Sequence, residues 1–91
     1  MTRPIDIDAR GMLCPLPVLR LRKALLSLPV GGQVRMIVTD TMALVDVPHF
    51  CSDAGHALIS VTEIADRQHE FVVARGLSAP LAASGLPPED I

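Results

Sequence analysis

The feature that most limits what this chain can fold into lies between residues 5 and 39. A strand-like run, an amphipathic helical run and a second strand-like run follow one another with short connections. Ile5-Asp6-Ile7-Asp8 alternates apolar and polar side chains, the pattern of a half-buried strand. In residues 15–28, Val18, Leu21, Leu25 and Leu28 recur at helical spacing with Ala24 beside them, while Arg20, Lys23 and Ser27 take the other side. Pro29-Val30-Gly31-Gly32 stops that helix, because proline cannot continue it and glycine permits the exit turn. Residues 33–39 then place Val34, Met36 and Val38 on one face of a second strand. Strand, helix and strand in series favour a right-handed crossover between parallel strands.

The remainder extends this unit. Residues 42–54 follow Asp40-Thr41, an N-cap pair, and carry Leu44, Val47, Phe50 and Cys51 at helical spacing before Gly55. Pro48 interrupts that pattern, so the helix either starts late or bends there. Residues 57–65 and 70–75 are β-rich, and Asp66-Arg67-Gln68-His69 between them has the composition of a hairpin turn. The expected architecture is α+β: a two-layer βαβαββ sandwich with two helices on one face of a four-stranded mixed sheet. The domain is expected to span residues 1–76. Residues 77–91, with Pro80, Pro87 and Pro88, are expected to form a loosely ordered tail.

Size and charge exclude several function classes. A chain of 91 residues makes one domain with room for an exposed site and not for a deep multi-substrate cleft. With Phe50 and Phe71 as its only aromatic residues, it lacks the stacking platforms of single-strand binders. Its net charge of −2 and mixed charge pattern argue against direct nucleic-acid binding. Its apolar runs fall well short of the ~18 residues that suggest a membrane span, and residues 1–8 lack the apolar stretch of a signal peptide. Cys14 and Cys51 are too few for a disulfide-rich secreted scaffold, so the reading is a cytoplasmic protein without a membrane anchor.

The chemistry concentrates in Asp8-Ala9-Arg10-Gly11-Met12-Leu13-Cys14-Pro15-Leu16-Pro17. Placing Cys14 at the helix N-cap puts Pro15 at the first helical position, where its fixed φ suits the turn. Pro15 and Pro17 have no N–H, so the Leu16 N–H is the donor left near the sulfur. A residue before proline is driven out of the helical region, which turns Cys14 outward, and Gly11 lets the chain reverse between strand and helix. At a helix N-terminus the partial positive charge favours a thiolate, or a persulfide anion, over the neutral form. Arg10 is a further source of positive field. A structural role for Cys14, as a buried capping residue, is the competing reading.

This stretch resembles the Cys-Pro-x-Pro signature of the TusA/SirA-like sulfur-carrier family, with Asp8, Gly11, Cys14, Pro15 and Pro17 on matching positions. Asp46-Val47-Pro48-His49-Phe50-Cys51 resembles that family's Asp-Ile-Pro-x-Phe-Cys segment, which accommodates the proline within the second helix. The resemblance runs from about residue 5 to residue 76. It implies a βαβαββ fold, and a Cys14 that accepts sulfane sulfur as a persulfide and hands it on. The implied partners are a cysteine desulfurase or rhodanese-like sulfur donor and a downstream acceptor protein. No cofactor is implied. Leu16 stands where some tRNA-thiolation members carry Glu, so tRNA thiolation, molybdenum-cofactor assembly and sulfur oxidation all stay open as the pathway. Whether such a relay component counts as an enzyme is left open.

Other candidates are weaker. Cys51, on the apolar side of its helix, reads as packed. About nine residues of helix separate it from the helix start, on the order of 13 Å, whereas bridged cysteines need Cα atoms within about 7 Å. His49, His56, His69 and the cysteines show no close Cys-x-x-Cys spacing, so no metal site is expected. The expected docking rim comprises Arg10, Met12, Leu13, Leu16 and Arg20, with Lys23 beside it. For Arg20 and Lys23, the solvated face of the helix is the simpler account. A regulatory or interaction module that uses the Cys14 edge only for binding is the alternative function, and a redox sensor is a third.

Overall fold

The computed structural model describes residues 3–76. Six elements follow in the order β1 (Ile5–Ala9), α1 (Leu16–Leu26), β2 (Gln33–Val38), α2 (Ala43–Ala54), β3 (Ala57–Ala65) and β4 (Gln68–Ala74). The order is the βαβαββ read from the sequence. The tail expected over residues 77–91 lies outside the described residues.

The sheet has strand order β1-β2-β4-β3. β1 and β2 run parallel, with Ile7 opposite Met36 and Ala9 opposite Val38. β4 lies antiparallel to β2, pairing Met36 with Phe71 and Val34 with Val73. β3 completes the sheet as the outer strand of a hairpin with β4, with register shifts at Leu58/Ser60 and Glu63/Ala65. That pairing puts one inner row on the helix side: Ile7 and Ala9, then Val34, Met36 and Val38, then Phe71 and Val73, all buried. Leu21 and Leu25 of α1 and Ala43, Val47 and Cys51 of α2 close over the row. Leu21, Leu25, Met36 and Phe71 are completely buried, each stabilising the fold by roughly 1.5–3 kcal/mol. The core is aliphatic apart from Phe71, as a chain with two aromatic residues requires.

The opposite face of the sheet is mixed, with Ile37 and Val72 set among charged side chains. Arg35 pairs there with Asp6 at 2.7 Å and approaches Glu70 at 3.9 Å.

α2 continues without interruption through Pro48. The proline costs the hydrogen bond that the Leu44 carbonyl would accept, but Val47 and Cys51 on either side of it are buried and hold the helix in place. Gly55, at φ 79, closes α2 in the left-handed conformation. Asp40 does not cap α2 as expected: the N-cap is Met42, with no side-chain cap bond. The helix begins later than the Asp40-Thr41 pair suggests; one Asp40 carboxylate oxygen accepts the Met42 N–H, and the other is left for a different task.

Candidate functional site

Both parallel strands end at one edge of the sheet, and the β1–α1 and β2–α2 connections meet there. The pairing of Val38 with His69 brings the Asp66-Arg67 turn of the β3–β4 hairpin to the same edge. Cys14 sits in the first of these connections.

The loop that carries it is held from residue to residue. Gly11 adopts φ 82, a left-handed conformation that costs glycine nothing, and its N–H donates to Thr39 Oγ1 at 2.8 Å. Met12 N–H closes a turn on the Ala9 carbonyl at 3.1 Å. Leu16 N–H donates to the Leu13 carbonyl at 2.9 Å, closing a second turn around Cys14 and Pro15. The Cys14–Pro15 peptide is cis.

Cys14 is therefore not the N-cap of α1. Pro15 occupies that position, with no side-chain cap bond, and Pro17 is buried in the first turn. The Leu16 N–H, expected to face the sulfur, is taken by Leu13. Instead Cys14 is gripped by two carboxylates from the neighbouring β2–α2 connection and the start of α2. Its backbone N–H donates to Asp40 Oδ2 at 2.8 Å, and Asp40 Oδ1 accepts the Met42 N–H at 3.0 Å. Its thiol donates to Asp46 Oδ2 on the first turns of α2.

This environment reverses the electrostatic expectation. The bond to Asp46, then desolvation, then the charges of Asp46 and Asp40 push the Cys14 thiol up from about 9 to about 11. A helix end carries about half a charge, and its effect fades within a turn, whereas Asp46 is in direct contact with the sulfur. The resting sulfur is a neutral thiol, half-buried rather than held in the open.

Arg10 does not offset the carboxylates. Its Nε and Nη2 fork onto the Asp8 carboxylate at 2.9 Å each, and its backbone N–H also reaches Asp8. The guanidinium bonds, followed by that backbone N–H, draw the Asp8 carboxyl down to about 2. Asp8 thus serves the motif by holding the turn after β1 and occupying Arg10. Arg20 lies with Lys23 and Ser27 along a groove against β1. Leu13 and Leu16 are exposed beside the sulfur, at 70% and 51%, while Met12 packs against the core. Cys51 is 3% exposed, and burial pushes its thiol up to about 11. Both cysteines are free thiols.

Asp40 and Asp46 are the residues that sequence reasoning missed. Asp40 reads locally as a helix cap, and Asp46 reads as part of a motif with no role. A carboxylate on the half-exposed side of α2, one position before the buried Val47, is the signal available for Asp46. Arg67, at φ 60, lines a shallow groove with Gly11, Met12, Leu13, Thr39, Asp40 and Thr41 beside the cysteine loop.

These features define a small α+β scaffold that presents one cysteine at the C-terminal edge of its parallel strands. A family model described as "Sulfurtransferase TusA" matches residues 5–75, and the chain belongs to that family. It is 40% identical over 65 residues to the sulfur carrier protein TusA of Pseudomonas paraeruginosa, covering 69% of this chain and 82% of the relative. The corresponding protein of Pseudomonas syringae pv. syringae is 38% identical over 60 residues, covering 66% of this chain and 71% of the relative. In structure, the chain is similar to a SirA-like protein from Desulfitobacterium hafniense. The TM-score is 0.72 at 30% identity, covering 79% of this chain and 97% of that one. Among the described residues no helix is long and apolar enough to cross a membrane.

Proposed function

We propose that this protein is a sulfur carrier of sulfurtransferase type, in which Cys14 accepts sulfane sulfur as a persulfide and passes it to a partner protein. The observation that supports this reading most directly is the contrast between two thiols in a family of sulfur carriers. Cys51 is sealed in the core, whereas Cys14 is half-exposed on a rigid loop with Leu13 and Leu16 laid open beside it. A relay needs one sulfur that two different proteins reach in turn, and the loop at the sheet edge offers it. The donor is a cysteine desulfurase or a rhodanese-like protein, the acceptor a sulfur-consuming enzyme, and the compartment the reducing cytoplasm.

The test is intact-protein mass spectrometry after incubation with a cysteine desulfurase and cysteine, using wild type, Cys14→Ser and Cys51→Ala. The expected result is a thiol-reversible gain of one sulfur atom in wild type and Cys51→Ala, absent in Cys14→Ser. Failure of wild type to load from this donor and from a rhodanese with thiosulfate would remove the carrier reading.

A further inference from the structure

We propose that Asp46 keeps Cys14 a quiet thiol in the free protein, so that its sulfur becomes nucleophilic only when a partner brings a cation to the Asp40–Asp46 pair. The purpose of this control rests on the carrier reading above, but the control itself is a property of the thiol and is measurable without sulfur transfer.

Among the described residues, the charges that act on the sulfur are carboxylates. From α2, Asp46 accepts the thiol proton in a hydrogen bond. From the β2–α2 connection, Asp40 holds the Cys14 backbone N–H. The first turn of α1 contributes no acidic residue, and residues 16–19 (Leu-Pro-Val-Leu) carry no charge at all. From the β1–α1 loop, Arg10 is committed to Asp8. From the β3–β4 turn, Arg67 lines the adjoining groove and forms no ion pair among the described residues. Reactive cysteines ordinarily sit in electropositive surroundings. This one sits against carboxylates. Among the described residues the charges that act on the sulfur are those of Asp46 and Asp40, with no contribution from Arg67, so the positive charge comes from a partner.

Loading then proceeds in balance. The Cys14 proton passes to the Asp46 carboxylate as a partner cation stabilises the emerging thiolate. The thiolate lone pair forms a bond to the terminal sulfur of the donor's persulfide. The donor's S–S bond breaks, and its electron pair leaves on the donor cysteine, which takes up the proton held by Asp46. The products are a Cys14 persulfide and a donor thiol, and no outside oxidant or reductant is needed. Asp46 touches the reacting sulfur and serves as a proton holder as well as a restraint.

The test measures alkylation of Cys14 by iodoacetamide as a function of pH, in the Cys51→Ala background, for the parent and for Asp46→Asn. Far-ultraviolet circular dichroism reports whether each protein is folded. Removing the carboxylate returns the thiol toward its ordinary range near 9 from about 11, raising the thiolate fraction at neutral pH up to about 100-fold. Intrinsic nucleophilicity falls with pKa by roughly tenfold over the same interval, so the net expectation is an alkylation rate up to about tenfold faster. A short oligolysine peptide should accelerate alkylation of the parent more than that of Asp46→Asn, in which only Asp40 remains for it to pair with. Asp40→Asn is the second variant: it should shift the pH profile in the same direction by less. An Asp46→Asn profile that coincides with the parent, or one that moves to higher pH, overturns the proposal. So does an oligolysine effect of equal size in both proteins. These outcomes are independent of whether a desulfurase loads the protein, which tests the carrier reading alone.

Discussion

Gly11→Ala should destabilise the domain by about 1–2 kcal/mol, and the cause is backbone conformation alone. A Cβ built on Gly11 meets nothing within 4 Å, so the substitution creates no clash. The residue nonetheless holds φ +82, which an L-residue with a Cβ adopts at that cost. In a domain of this size each kcal/mol lowers the midpoint of thermal unfolding by roughly 4–8 °C. Asparagine tolerates left-handed φ better than alanine, so Gly11→Asn should cost less than Gly11→Ala. The chain can escape the strain only by flipping the loop, which would give up the 2.8 Å bond from the Gly11 N–H to Thr39 Oγ1 and re-aim Cys14. Thermal unfolding of wild type and both variants, followed by circular dichroism, measures the cost. A midpoint for Gly11→Ala within error of wild type would refute the conformational reasoning. Equal losses for alanine and asparagine would show that space, not φ, governs the position.

Gly76 presents the opposite case: a Cβ there would lie 1.7 Å from the Gly55 backbone oxygen. Gly76→Ala should therefore push Arg75-Gly76 off the α2–β3 corner, breaking the 3.0 Å bond from its N–H to His56 Nδ1 and lowering the urea midpoint. Cys51, whose thiol burial pushes up to about 11, should resist alkylation in native protein and react only after denaturation, as peptide mapping of labelled samples would show. Burial, and then the charge of Arg75, holds His56 below its usual 6.5, and its Nδ1 accepts the Gly76 N–H. As pH falls, the unfolded chain takes up this proton before the folded one. The His56 contribution is thus complete above about pH 6.5 and declines as pH drops below it, and urea midpoints of His56→Gln should lack that part of the slope.

The elements were legible wherever one periodicity dominated. Leu21 and Leu25 follow a helix, and Val34, Met36 and Val38 alternate as a strand, because each set answers to a single buried face. Pro48 was not resolvable locally. Its backbone penalty argues for a break, while the flanking Val47 and Cys51 argue for continuity, and only their shared burial against the sheet decides the matter. The position of β3 outside β4 is likewise a packing outcome. Phe71 and Val73 of β4 are sealed under the helices, whereas in β3 only Leu58 packs against the core, so β4 takes the inner place. Both strands read as β-rich, and that burial difference needs the helices in place.

The position of the sulfur was legible, but the field around it was not. The motif that singles out Cys14 is local, and its backbone restraints come from neighbours within a few residues. Its charge environment comes from Asp40 and Asp46, which are 26 and 32 residues further along the chain. The sign of the field then turned on the point where α1 begins. With Pro15 as the first helical residue, Cys14 would cap the helix and its sulfur would face free N–H groups. With Pro15 as the cap, those groups are out of reach, the Leu16 N–H goes to Leu13, and the thiol turns across to α2. A shift of one residue at the helix start exchanges a partial positive charge for a carboxylate in direct contact. Proline stiffness was visible in the sequence. Its consequence for the sulfur depended on the second helix, which presents Asp46 within hydrogen-bond reach of the thiol.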